Sequence, residues 1–301
     1  MIKRWRSYRV LEIGFVILVA TVLAIAARAQ EPFFFIVLAD PQFGMYTQDH
    51  GFPRDKRNLE KVIRAANRLH PAFIVVCGDL VNKAGDATEI AGYFQVVRQL
   101  DRGIPFYNVP GNHDVGNVPT PASISAYRKV FGPDYYTFQY DDMFGIVLDS
   151  SLLGHPDSDP EDAALQQDWL NGELRKMKQR KVRHVVVFMH HPFFLHSVKE
   201  PDGYSNLPNR IRSIYLDLFE QAGVQYVFSG HLHHNLMTTF DKMGLIANGP
   251  VGKPLGDGRS GMGVATVLRD SLSYQYFPLA SLPEKISLPP ASDDASVSMD
   301  K

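Results

Sequence analysis

One cysteine in 301 residues leaves no intramolecular disulfide, so no covalent framework supports the fold. Cys77 ends the apolar run Phe73-Ile74-Val75-Val76-Cys77, the setting of an inert core thiol rather than a metal ligand. Neither sign of charge is in excess. The 31 basic and 32 acidic residues leave a formal charge of −1, so no basic field points to a nucleic-acid partner. Internal repeats are absent, and so is a glycine turn set between a strand and a helix to cradle phosphate. Gly249, Gly252, Gly256, Gly258, Gly261 and Gly263 fall in residues 248–263 without that frame and read as a loop or lid. What is present is an ordinary globular composition, 45% hydrophobic and 21% charged, in a chain long enough to bury a large core unaided.

One stretch stands apart. Lys3, Arg4, Arg6 and Arg9 precede the uncharged apolar run Ile13 to Ala27, and Ala27-Arg28-Ala29 has the small-x-small form of a cleavage site. Residues 1–29 therefore read as a secretory signal peptide, and the protein as exported, periplasmic or secreted. The alternative is an uncleaved membrane anchor, the one membrane contact expected. Cleavage would take away five basic residues and one acidic, leaving 26 and 31 and a charge of −5. Residues 30–284 read as one domain. Residues 285–301, rich in Pro, Ala, Ser and Asp, read as a disordered tail.

Phe33 to Ala39 is a buried-strand pattern, followed by a helix stripe at Leu59, Val62, Ile63, Ala66 and Leu69. Ala72 to Cys77 is a second strand, a helix capped by Thr88 runs to Leu100, and Ile104 to Val109 is a third strand. This alternation predicts βαβαβ units and a parallel core. Later, Tyr135 to Tyr140 and Phe144 to Asp149 form a hairpin about Asp141-Asp142, and Glu161 to Lys178 is a helix with Leu165, Trp169 and Leu174 inward. Val182 to Met189 and Val224 to Ser229 are strands, with a helix over 210–222 between them. Strands near 237–240, 244–247, 264–268 and 273–277 complete the chain. The expected fold is α/β, of four layers: two packed mixed sheets flanked by helices.

Five short runs stand at or just past these strand ends: Asp40-Pro41-Gln42, Gly78-Asp79, Gly111-Asn112-His113-Asp114, His190-His191-Pro192 and Gly230-His231-Leu232-His233. Ligands gather at the carboxyl ends of strands in open sheets. Carboxylates, an amide and imidazoles suit hard to borderline divalent ions. Asp79 ends the middle strand of the first three and is the natural bridge between two cations. His231 and His233, two apart in an extended segment, point the same way. Only one of His190 and His191 can readily face the cluster.

This ordered set resembles the calcineurin-like metallophosphoesterase family from about Phe33 to Phe277. In detail, Ala39-Asp40-Pro41-Gln42-Phe43-Gly44 with Gly78-Asp79-Leu80-Val81-Asn82 resembles its calcineurin-like phosphoesterase domain-containing subgroup. The resemblance implies a phosphomonoester hydrolase with two divalent ions (Mn, Fe, Zn, Mg or Ni) and a bridging hydroxide. Its substrate is a small-molecule or phosphoprotein phosphoester. It assigns Asp40, Asp79 and His233 to the first ion and Asp79, Asn112, His190 and His231 to the second. His113 is the catalytic acid, oriented by Asp114. Gln42 stands where the family has His, so a neutral carbonyl oxygen would hold the first ion more loosely. Asn82 and Arg54 are candidate substrate contacts. His196, Lys199 and Tyr204 stand on a loop after His-His-Pro, where they either read substrate or are plain surface. A phosphodiesterase on nucleotides or glycerophosphodiesters is the alternative, and a non-catalytic metal-binding module the third reading.

Overall fold

Phe33 to Ala39 is apolar at every position because both faces of its strand are covered. In the computed structural model, β1 (Phe33–Leu38) turns Phe33, Phe35 and Val37 into a layer between two sheets and Phe34, Ile36 and Leu38 toward helices. The structure describes residues 31–180 and 182–290. The expected signal peptide, 1–29, and residues 291–301 of the expected tail, 285–301, lie outside the described residues.

From β1 the chain passes through α1 (Pro53–Leu69), β2 (Ile74–Cys77), α2 (Ala87–Val97) and β3 (Phe106–Val109). The three strands pair in parallel. α1 buries the predicted stripe Leu59, Val62, Ile63, Ala66 and Leu69 against their outer face. After α3 (Asn112–Val115) and α4 (Pro121–Phe131), β4 (Tyr136–Tyr140) and β5 (Met143–Val147) form the hairpin about Asp141-Asp142. Then come α5 (Ser150–Gly154), α6 (Pro160–Gln179), β6 (His184–Phe188), α7 (Asn209–Ala222) and β7 (Tyr226–Ser229). β8 (Leu236–Phe240), β9 (Met243–Ala247), β10 (Gly261–Val267) and β11 (Leu272–Pro278) follow.

The strand orders are β11-β10-β1-β2-β3 in a five-stranded sheet and β4-β5-β6-β7-β9-β8 in a six-stranded one. Both are mixed, so the four-layer α/β arrangement is the one observed. Between the sheets lies an aromatic seam. Phe35 stacks on Phe73 at 4.7 Å and Phe188 on Phe228 at 5.7 Å. Each fully buried Phe contributes about 1.5–3 kcal/mol of transfer free energy. The seam holds the two sets of strand ends, and hence the runs at their tips, on one edge of the molecule.

Three local readings change. Asp86, not Thr88, caps α2, its carboxylate accepting from the Thr88 and Glu89 amides; an Asp two residues earlier reaches both free N–H groups. Leu165 is exposed, while Leu174 is buried as expected, beside Gln166, Leu170 and Met177. Helical spacing alone left the exact face of α6 open by one residue. Gly261 and Gly263 belong to β10, and the loop before them is anchored at its start. Val251 is fully buried, and the Val251 and Gly252 amides donate to the Ala39 and Asp40 carbonyls, so this segment straps the end of β1.

Candidate metal centre

Each of β1, β2, β3, β6 and β7 ends in a polar run, and the loops that follow fold over one another. Asp40, Gln42, Asp79, His231 and His233 all have positive φ. Such backbone costs about 1–3 kcal/mol per residue and survives where surrounding contacts enforce it, commonly at functional sites. The glycines ahead of the donors allow the crowding. A Cβ on Gly78, whose φ is +83, would overlap the His190 ring, and one on Gly111 would overlap the Asp79 amide.

The hydrogen bonds of each donor determine which atom faces inward. His190 Nδ1 donates to the Cys77 carbonyl at 2.9 Å and turns Nε2 in. His231 Nε2 donates to the Tyr204 carbonyl at 2.8 Å and turns Nδ1 in. Asn112 Nδ2 donates to Asn117 Oδ1 and to the Tyr204 hydroxyl, which turns Oδ1 in. His190 Nε2 then lies 2.9 Å from Asn112 Oδ1, 3.1 Å from His231 Nδ1 and 3.3 Å from Asp79 Oδ2. Four converging polar atoms share at most one hydrogen, that of a protonated His190. Such a set is mutually repulsive unless a cation sits among it, so these residues fit a divalent ion.

A second group adjoins the first. Donor atoms of Asp40, Asp79 and His233 lie within 4.8 Å of one another. His233 Nδ1 donates to the Lys253 carbonyl at 2.6 Å, and its Nε2 is 3.6 Å from Asp40 Oδ1. Gln42 donates its amide to Asn82 Oδ1, while its buried Oε1 has no hydrogen-bond partner. An orphaned buried carbonyl costs about 1–3 kcal/mol, and a cation nearby would remove that cost. Asp79 belongs to this group and also touches His190 of the first.

The field follows the same plan. Burial would raise the Asp79 carboxyl, but the adjacent His190 outweighs it and holds Asp79 well below the usual carboxylate range. Burial would lower His190, but Asp79 beside it pushes it up to about 9. Burial and then His190 lower His231 to about 4, so it stays neutral and keeps its Nδ1 lone pair. Burial raises Asp40 to about 6, with His233 and His190 opposing.

Two sequence expectations are corrected. His231 and His233 are not partners on an extended strand, because both are left-handed and serve different groups. Asp114 does not touch the His113 ring. Its carboxylate accepts from the Leu80, Val81 and Gly111 amides, bolting together the loops after β2 and β3. His113 Nδ1 instead donates to the Asn82 carbonyl at 2.7 Å, and Nε2 has no hydrogen-bond partner among the described residues. Asn82 thus holds both His113 and Gln42. Arg54 is exposed and lies 4.2 Å over the Tyr46 ring.

Ser150 and Arg212 did not stand out in the sequence. Ser150 Oγ accepts from the His190 and His191 amides, so its hydrogen goes to His191 Nδ1 at 2.9 Å. His191 then carries its proton on Nε2 and offers a donor rather than a lone pair. Arg212 sits on the apolar stripe of α7 with Tyr215, Leu216 and Phe219, a signal that was readable. It is fully buried and donates to the carbonyls of Leu207, Val198, Glu200 and Pro201. It therefore shapes the loop that carries Tyr204. Arg212→Met should cost ~3 kcal/mol, since each buried acceptor left unpaired costs about 1–3 kcal/mol and water recovers part of it. That is a Tm fall of about 6–12 °C by calorimetry; an unchanged Tm would show the loop holds itself.

The calcineurin-like phosphoesterase family model matches residues 35–235. Serine/threonine-protein phosphatase CPPED1 of Bos taurus is 37% identical over 272 residues, spanning 84% of this chain and 86% of that protein. The human protein of that name is 34% identical over 270 residues, with the same 84% and 86% coverage. Among solved structures, a dimetal phosphatase from Danio rerio superposes with a TM-score of 0.60 at 14% identity, covering 83% of this chain and 97% of that one.

Proposed function

The chain belongs to the calcineurin-like phosphoesterase family and is a metal-dependent phosphatase, and from that premise we propose that it hydrolyses alkyl phosphomonoesters of the phosphoserine and phosphothreonine type. The observation that carries this reading is Asp79. One carboxylate joins the Asp40–His233 group and touches His190 of the Asn112–His231 group. The relatives' printed name, serine/threonine-protein phosphatase, supports the choice of ester.

Asp40, Gln42, Asp79 and His233 would hold one divalent ion, and Asp79, Asn112, His190 and His231 the other. When bound, the ions supply Lewis-acid stabilisation of phosphoryl charge and water acidified toward neutral pKa. The protein's own groups do the rest. The Cys77, Tyr204 and Lys253 carbonyls fix which nitrogen each imidazole presents. The Asn82 carbonyl aims His113 Nε2 outward, where it can give a proton to the departing alkoxide. Asp114 keeps the loops carrying Asp79 and Asn112 in register.

The test is a phosphoester panel with metal counting. Purified protein should turn over p-nitrophenyl phosphate and phosphoserine peptides faster than bis(p-nitrophenyl) phosphate, and bind two ions. On dialysis the ion of the Gln42 group should leave first. Faster diester turnover would favour the phosphodiesterase reading, and inertness on every ester with both ions bound would favour a binding module.

A further inference from the structure

Tyr204 is 65% exposed, yet both ends of the residue engage the donor cluster. Its carbonyl accepts from His231 Nε2, and its phenol oxygen accepts from Asn112 Nδ2 at 3.1 Å. Its ring lies 4.7 Å from the His231 ring. The direction of the Asn112 bond follows from chemistry, since Asn112 Oδ1 faces His190 and His231 and only N–H points to the phenol. The hydroxyl hydrogen of Tyr204 is therefore uncommitted, with no acceptor among the described residues.

The loop is set before any ligand arrives. Arg212 ties its far side through four carbonyls. The Glu200 carboxylate accepts from the Leu195, His196 and Ser197 amides and from Asn206 Nδ2. Asn206 Oδ1 in turn accepts from the Gly203 amide next to Tyr204. A donor held this way loses little entropy on binding, which is where preorganisation gains affinity.

The geometry points to Tyr204 as a substrate-contact residue: its hydroxyl donates to a phosphoryl oxygen beside Asn112, and its exposed ring flanks the alcohol portion of the ester. The inference rests on the phosphatase reading above and adds a contact that none of the five terminal runs contains. A neutral phenol suits the task, because no further positive charge is needed where two bound cations would attract the anion. The ring gives an apolar wall on the open side of the site.

Tyr204→Phe removes the hydroxyl and keeps the ring. Metal-loaded Tyr204→Phe should bind inorganic phosphate, by isothermal titration calorimetry, roughly 10–100-fold more weakly than wild type, the range for a hydrogen bond to a charged group. Its kcat/KM for p-nitrophenyl phosphate should fall by a similar factor, with metal stoichiometry and Tm unchanged. Tyr204→Ala should add a loss in selectivity between alcohol portions that Tyr204→Phe does not show. Wild-type phosphate affinity in metal-loaded Tyr204→Phe would overturn the assignment. So would loss of metal with unchanged phosphate affinity in the loaded fraction, which would make Tyr204 a support for Asn112 alone. Phosphate binding separates this from the broader reading, since a wild-type protein that binds phosphate through Tyr204 but hydrolyses no monoester would sink the phosphatase reading and leave the contact standing.

Discussion

Asp79→Asn should lower phosphomonoester turnover on the order of 10³-fold or more, with bound metal falling below two ions per chain. The substitution changes almost no volume. Its Oδ1 can still accept from the His113 amide that now donates to Asp79 Oδ1 at 2.8 Å. What disappears is one negative charge at the point shared by the Asp40–His233 and Asn112–His190–His231 groups. Two like cations held side by side need an anion between them, and an amide offers one oxygen and no charge. Lewis-acid stabilisation is worth several kcal/mol, and each 1.36 kcal/mol is tenfold in rate. Plasma emission spectrometry on purified variant, paired with turnover, reads both effects. Full metal content with wild-type rates would remove Asp79 from the centre of the site.

His113→Ala should lower kcat by about 10²–10⁴-fold, the usual contribution of a positioned general acid, while two ions remain bound. His113 is absent from both close donor groups. Its Nδ1 is committed to the Asn82 carbonyl, so only Nε2 is available for chemistry. The loss should shrink for esters with a good leaving group, such as p-nitrophenyl phosphate, because a stable phenolate needs no proton. It should be largest for phosphoserine, whose alkoxide does. An equal loss on both esters together with loss of an ion would make His113 a ligand. Asp114→Asn gives a contrast. Asp114 holds three backbone amides rather than the His113 ring, so its effect should be on stability and independent of the leaving group.

Much of this was legible before any coordinates. Strand, helix, strand, helix, strand over residues 33–109 is a pattern of local periodicities, and it survives in β1, α1, β2, α2 and β3 with shifts of a few residues at the ends. The donor runs were legible because each ends an apolar strand with Asp, Asn or His, in three of the five next to Gly. The errors share a cause. Asp114 was expected to orient His113 because the family resemblance carried that role over by position, without the three-dimensional contacts. The extended alternation assumed for His231 and His233 ignored the left-handed turns that a glycine-led loop adopts. Arg212 shows its burial in the apolar stripe of α7, but its backbone-carbonyl partners carry no side-chain signature.

The order of chemically competent residues, their place at strand ends and the lack of any disulfide are properties of the linear chain, because strand periodicity and turn chemistry act over a few residues. Which atom of each residue does the work belongs to the tertiary structure. The Cys77 carbonyl that turns His190 is 113 positions away, and the Asp40 carboxylate that meets the His231 amide is 191 away. A histidine has two nitrogens and a backbone carbonyl is the same in every residue. Only the packing of two sheets on an aromatic seam brings a particular carbonyl to a particular ring, and so decides where the lone pairs point.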